Sequence, residues 1–168
     1  MLAQHNPNNL PGLSILKIKD NDQDFNGILP LLSEEFPTWG LSRLRSYIKL
    51  VLKQKTNGIL VAKNDSSYSI GLLIYSMHDI MNKNFSNDSN KEFSKCLIVE
   101  NLISSNPVLE QKIYLQFINK IFYIAKNKNC EVLELPRFNS SFDLVKKKYK
   151  KNLINTDGWR SFIKINES

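Results

Sequence analysis

Residues Lys95–Leu135 read KCLIVENLISSNPVLEQKIYLQFINKIFYIAKNKNCEVLEL, and their periodicity changes twice. Lys95–Ser104 (KCLIVENLIS) is a short apolar run with a carboxylate, Glu100, near its middle, which predicts a strand. After Pro107, the residues Ile113, Phe117, Ile121 and Ile124 recur at helical spacing. Ile118, Phe122 and Ala125 widen that stripe, and the helix ends in the polar, basic segment Lys126–Asn129. Glu131–Leu135 (EVLEL) predicts another strand, stopped by Pro136. A strand, a long helix and a strand form a crossover, so the two strands should be parallel and connected right-handedly.

Working outward, Gly58–Lys63 (GILVAK) and Tyr68–Met77 (YSIGLLIYSM) are apolar strands separated by turn residues Asn64–Ser67. With Lys95–Ser104 they should form an antiparallel meander, because no helical pattern separates them. Asp79–Lys95 is polar and Asn-rich and reads as a loop. Upstream, Ser14–Lys19 alternates as a short strand. Phe25, Ile28, Leu29, Leu32 and Phe36 then mark a helix capped by Asp22 or Asp24, beginning or kinking at Pro30. Pro37 and Gly40 break the chain before an amphipathic helix over Leu41–Gln54. Downstream, Ser140 or Ser141 caps a short helix carrying Phe142, Leu144 and Val145, and Asn152–Ile165 holds one or two strands around a turn at Asp157 and Gly158. The order β-α-α-β-β-β-α-β-α-β(β) predicts an α/β (α+β) fold: a mixed, mostly antiparallel sheet flanked by helices on both faces.

The 168 residues include 42% hydrophobic and 23% charged positions, the balance of a globular chain. That length favours one domain, read as residues 14–168 behind a flexible tail at 1–13. No apolar run is long enough to cross a bilayer, and the first residues lack the charged and apolar regions of a secretory signal, so a cytoplasmic location and no membrane partner are expected. Cys96 and Cys130 have neither disulfide-framework nor CxxC spacing and read as buried thiols. With His5 and His78 the only histidines, a multi-histidine metal site is excluded and no metal is expected. The net charge is +7, densest at Lys146, Lys147, Lys148, Lys150 and Lys151. No nucleic-acid motif accompanies this run, which reads as a solvated helix face, so a nucleic-acid partner is not expected.

This order of elements resembles the GNAT superfamily of N-acetyltransferases over about Ser14–Ile165, most specifically over Cys96–Lys126. The resemblance implies acetyl-CoA, or another acyl-CoA, as co-substrate, with its pantetheine arm in a V-shaped gap between the Cys96 and Glu131 strands. The family's pyrophosphate loop, Arg/Gln-x-x-Gly-x-Gly/Ala, is degenerate here: Leu109 stands where the family has Arg or Gln, and Lys112 and Tyr114 stand where it has small residues. Glycine there lets helix N–H groups approach the anion closely, and no glycine occurs between Gly71 and Gly158.

The implied activity is N-acyl transfer by direct attack of a deprotonated amine on the thioester. Glu100 is the candidate base, raised in pKa if it lies in the central cleft. Tyr149 is the candidate acid, although the family's Tyr-x-x-x-Gly-Phe ending is absent. Backbone around Leu102 and Ile103 would meet the oxyanion if a bulge lies there. Leu109, Lys112, Ile113 and Tyr114 would face the cofactor, with Lys112 substituting charge for backbone contacts. Glu34, Glu35, Phe36, Trp39 and Tyr47 occupy the region that sets acceptor selectivity: Glu35 would attract a cationic amine, Trp39 would cover it by a cation–π contact, and His78 would face the same cleft. The expected partner is a small-molecule or peptide amine, and pairing as a homodimer is left open. The alternative is a non-catalytic GNAT-like module that binds a ligand or a protein and has lost coenzyme A.

Overall fold

The computed structural model describes residues 12–20, 22–81, 93–154 and 160–165. One seven-stranded sheet has the spatial order β1-β2-β3-β4-β5-β7-β6. Its strands are β1 (Ser14–Lys17), β2 (Gly58–Lys63), β3 (Ser69–Met81), β4 (Phe93–Ser104), β5 (Val132–Pro136), β6 (Leu153–Ile154) and β7 (Arg160–Lys164). Among the described residues only β4 and β5 are parallel; every other pairing is antiparallel. The helices are α1 (Asp22–Glu35), α2 (Leu41–Lys53), α3 (Glu110–Asn127) and α4 (Asp143–Lys148), the last entered through a 3-10 turn at Ser140–Phe142.

Alternation along the strands divides the core into two layers. Leu73, Tyr75, Met77, Leu97 and Val99 meet Ile113, Phe117, Ile118 and Ile121 of α3 on one face. Ile59, Val61, Leu72 and Ile74 meet Phe25, Ile28 and Leu32 of α1 and Leu44 and Ile48 of α2 on the other. Gly71 is where α3 presses hardest on the sheet. A Cβ there would come within 2.9 Å of Ile113 Cγ2 and 3.1 Å of Phe117 Cε2, so only glycine admits that seating. Asn129, with φ of 56°, supplies the left-handed residue beyond the end of α3.

Several boundaries differ from the sequence reading. The loop expected over Asp79–Lys95 is partly strand, since Asp79 pairs with Lys95, Ile80 with Ser94 and Met81 with Phe93. Of the two readings of Pro30, the helix does not begin there: α1 runs through it, and Arg45 of α2 donates to the Asn26 side chain one turn earlier. The 3-10 turn is capped by Asn139, whose side chain accepts from Ser141 N at 3.0 Å, rather than by either serine. Pro136 is the last residue of β5, opposite Arg160, instead of lying beyond the strand. The turn read at Asp157 and Gly158 and the tail up to residue 11 lie outside the described residues; Leu13, read as tail, packs on the core.

Both cysteines are buried, and burial together with the charge of Glu134 pushes the Cys96 thiol from 9.0 up to about 12. Phe117 is fully buried at the centre of the α3 layer. Phe117→Ala should therefore lower unfolding free energy by about 3–5 kcal/mol in urea denaturation, since a ring-sized cavity opens against the sheet.

Candidate functional site

The strands β4 and β5 are partners over three levels only: Cys96 with Val132, Leu97 with Leu133 and Ile98 with Glu134. Beyond Glu134, β5 stays with β7, while β4 continues to Ser104 beside β3 alone. Pairing between β4 and β5 ends at that level, and β4 is bulged there. Tyr75 pairs with Val99 but Ile74 pairs with Asn101, leaving Glu100 opposite no residue. The extra residue shifts the strand's phase. Leu97 and Val99 face α3, as does Leu102, so Glu100 and Asn101 both turn to the α1–α2 side. The bulge expected around Leu102 and Ile103 thus lies earlier, because those two keep regular partners in Leu73 and Leu72.

A cleft of about 300 Å3 opens on this side, lined among others by Tyr47, Gln54, Asn57, Ser76, His78, Glu100 and Asn101. The Ser76 hydroxyl donates to Glu100 Oε1 at 2.5 Å, and His78 Nε2 lies 2.9 Å from Ser76 Oγ. Serine has one proton, and with it directed at the carboxylate the serine oxygen is left to accept from the Nε2–H tautomer of His78. Tyr47 OH donates to Asn101 Oδ1 at 3.3 Å, and burial followed by the Glu100 charge holds its phenol above 10.0. Glu100 and His78 are exposed at the cleft surface. Among the described residues that line the cleft, Glu100 is the only acidic one and none is lysine or arginine, a lining that favours a cation.

Arg160 of β7 crosses the fork itself. Its Nε donates to Glu134 Oε1 at 2.8 Å on β5, and its Nη2 donates to the Val99 carbonyl at 2.7 Å on β4.

On the opposite face, the start of α3 is crowded. Leu109 is its N-cap, and the Leu109 N–H is held by Asn106 Oδ1 at 3.1 Å. Glu110, in the first turn, accepts from the Ser141 hydroxyl. Tyr114 donates to the Leu102 carbonyl at 3.3 Å, and its ring lies 5.3 Å from Phe142, which in turn lies 5.0 Å from Phe138. Lys112 is exposed, Ile113 is core, and Ile103 belongs to the other layer.

No protein-family model matches the chain, and no curated protein does. Solved structures do. An aminoglycoside 6'-N-acetyltransferase of Acinetobacter baumannii is 15% identical, with a TM-score of 0.58 over 83% of this chain and 88% of that one. A GNAT family acetyltransferase of Staphylococcus aureus is 13% identical, with a TM-score of 0.61 over 88% and 96%. An aminoglycoside N-acetyltransferase solved in complex with CoA is 13% identical, with a TM-score of 0.59 over 83% and 85%. The chain has the GNAT fold.

Tested against the coenzyme A of that fold, the residues at the start of α3 do not fit a diphosphate. Glu110 puts a carboxylate at the helix end where an anion would gain from the dipole, and the side chains of Leu109 and Tyr114 fill space that small residues leave open.

The remaining residues singled out in the sequence are scattered. Tyr149 does not reach the cleft: its hydroxyl donates to Asn119 Oδ1 at 2.9 Å, and its ring packs 5.1 Å from Phe122 in the α3 layer. Glu35 is exposed and acts on Tyr114, outside the lining of the cleft. The Trp39 face expected to cover a substrate cation carries Arg43 instead, 4.1 Å above the ring, while Phe36 stacks at 4.7 Å. Sequence reasoning missed Ser76, Asn101 and Arg160. Ser76 had a signal, since it lies two residues from His78 on one strand and must share its face. Arg160 had none.

Among the described residues, no group of three His, Cys, Asp or Glu is arranged to hold a metal, and no helix is long and apolar enough to cross a membrane.

Burial pushes both Tyr114 and Tyr149 from 10.0 up to about 12, with Glu110 and then Glu35 adding to the effect at Tyr114. Between those values the unfolded chain loses protons that the folded chain retains. Stability present below 10.0 should therefore fall as pH rises toward about 12. Thermal midpoints measured across that window should drop less steeply for Tyr149→Phe than for the parent chain.

Proposed function

We propose that this chain transfers an acyl group from a thioester to an amine seated over Glu100. The observation that carries the reading is the bulge that turns Glu100 and Asn101 together into a cleft beside the β4–β5 fork. An ammonium is drawn by the lone carboxylate, and its nitrogen must lose a proton before it can attack. Glu100 takes that proton directly or through one water. Ser76 fixes the carboxylate's orientation through its 2.5 Å bond, and His78 fixes Ser76. A backbone N–H at the bulge, where Glu100 has no ladder partner, would donate to the developing oxyanion. Asn101, held by Tyr47, offers a polar contact to the acceptor. The acceptor is a small-molecule or peptide amine.

A second reading, a GNAT-fold module that binds an amine without acylating it, is favoured by one specific feature: the acidic, crowded start of α3. The two separate on turnover. With small acetyl thioesters and a panel of primary amines, mass spectrometry should find N-acetylated product. Glu100→Gln should slow its formation by about 10²–10⁴-fold while leaving amine binding nearly unchanged. Equal rates in the two proteins would remove Glu100 from the chemistry, and no product with any amine would favour the binding module.

A further inference from the structure

The cleft over Glu100 holds a second ionisable group whose charge the acyl-transfer chemistry leaves unused. His78 and Glu100 both line it, and a single hydroxyl joins them. Ser76, only 5% exposed, donates to Glu100 Oε1 at 2.5 Å and lies 2.9 Å from His78 Nε2. With the serine proton directed at the carboxylate, Nε2 keeps its hydrogen in both charge states of the ring. His78 therefore gains its proton at Nδ1, which carries a lone pair when the ring is neutral and an N–H when it is charged. The bond to Ser76 survives that change. What reverses is the charge and the hydrogen-bonding sense that the ring offers the cleft.

The groups around His78 do not mask this reversal. On α2, burial followed by the Glu100 charge holds the Tyr47 phenol above 10.0, and burial does the same to Tyr75 on β3. β2 starts opposite Tyr75, and the lining residues just before it, Gln54 and Asn57, are uncharged amides. On β4, Cys96 stands opposite His78, and burial and then Glu134 push its thiol up to about 12. Asp79 and Lys95, the next pair along, act on Cys130 in the α3 layer.

We propose that His78 is the second pole of the acceptor seat: its neutral Nδ1 and the Glu100 carboxylate hold one ammonium between them, and a proton on Nδ1 opposes the bound amine. This rests on the amine seat of the acyl-transfer reading. His78 and Glu100 are exposed, so the repulsion is that of two charges about 5 Å apart in water, about fivefold in affinity. By reciprocity, a bound amine lowers the proton affinity of His78 by the same factor.

The test measures binding of benzylammonium to the full chain by calorimetry at about pH 8 and about pH 5.5, across the range in which histidine changes charge. The dissociation constant should rise about fivefold at the lower pH in the parent chain. It should stay level in His78→Gln, which keeps a neutral side-chain donor for Ser76. The reciprocal effect is read on an unaltered site by NMR. His5 is the only other histidine, so the imidazole signal that persists in His5→Gln is that of His78. Saturating amine should move its titration midpoint to lower pH by about 0.7. This readout holds even where His78→Gln does not fold. A midpoint unmoved by amine, equal affinity at both pH values, an undiminished pH effect in folded His78→Gln, or no amine binding at all would overturn the proposal. Glu100-dependent acylation with pH-indifferent binding would leave the acyl-transfer reading standing without it. Competition between amine and proton, with no acylated product from any thioester, would sink that reading and keep His78 in the seat.

Discussion

Two parallel strands that part after three levels of pairing must be held at the fork, and one guanidinium does so. Arg160 joins Glu134 on β5 to the Val99 carbonyl on β4, with side chains only 32% and 17% exposed for the arginine and the glutamate. A charge-assisted bond at that burial is stronger and more directional than a surface ion pair. It sets where the strands stop being partners, and therefore where the bulge can sit. The Glu134 charge also reaches Cys96, the first β4 residue paired with β5, and adds to the effect of burial on that thiol. Fork, bulge and cleft form one mechanical unit.

The bulge converts an ordinary strand into a site. Regular alternation would put Glu100 and Asn101 on opposite faces of the sheet; one extra residue puts both on the α2 side while Leu102 keeps its place in the α3 layer. The α1–α2 side is thereby polar and open at Glu100 and Asn101, and the α3 side is apolar and filled. The GNAT fold is intact around the fork, and the departure is concentrated at the start of α3, where Asn106 holds the Leu109 N–H, Glu110 accepts from Ser141 and Tyr114 donates to the Leu102 carbonyl.

Element order was legible because the change from period two to helical period and back, across Lys95–Leu135, leaves few topologies open. Glu100 was legible as a lone carboxylate in an apolar run. Its bulge was not, since a bulge depends on the register of β3, which no local pattern in β4 encodes. Trp39 was read toward a substrate, but it stands in the turn before α2, and the packing of that turn puts Arg43 over its ring, which no local periodicity announces. Tyr149 illustrates a different limit: the family resemblance offered it as the acid, but its hydroxyl is bonded to Asn119, thirty residues away. Arg160 lies sixty-one residues from the carbonyl it holds, a separation over which sequence pattern carries no information.

The outer rims of the sheet have a consequence of their own. At one end stands β1, four residues long and carrying Lys17; at the other stands β6, two residues long. Rims so brief, and on one side charged, give a stray extended chain few free amides to latch onto. A seven-stranded sheet with an apolar interior is thus guarded against growing into fibrous aggregates by the shortness of its outermost strands.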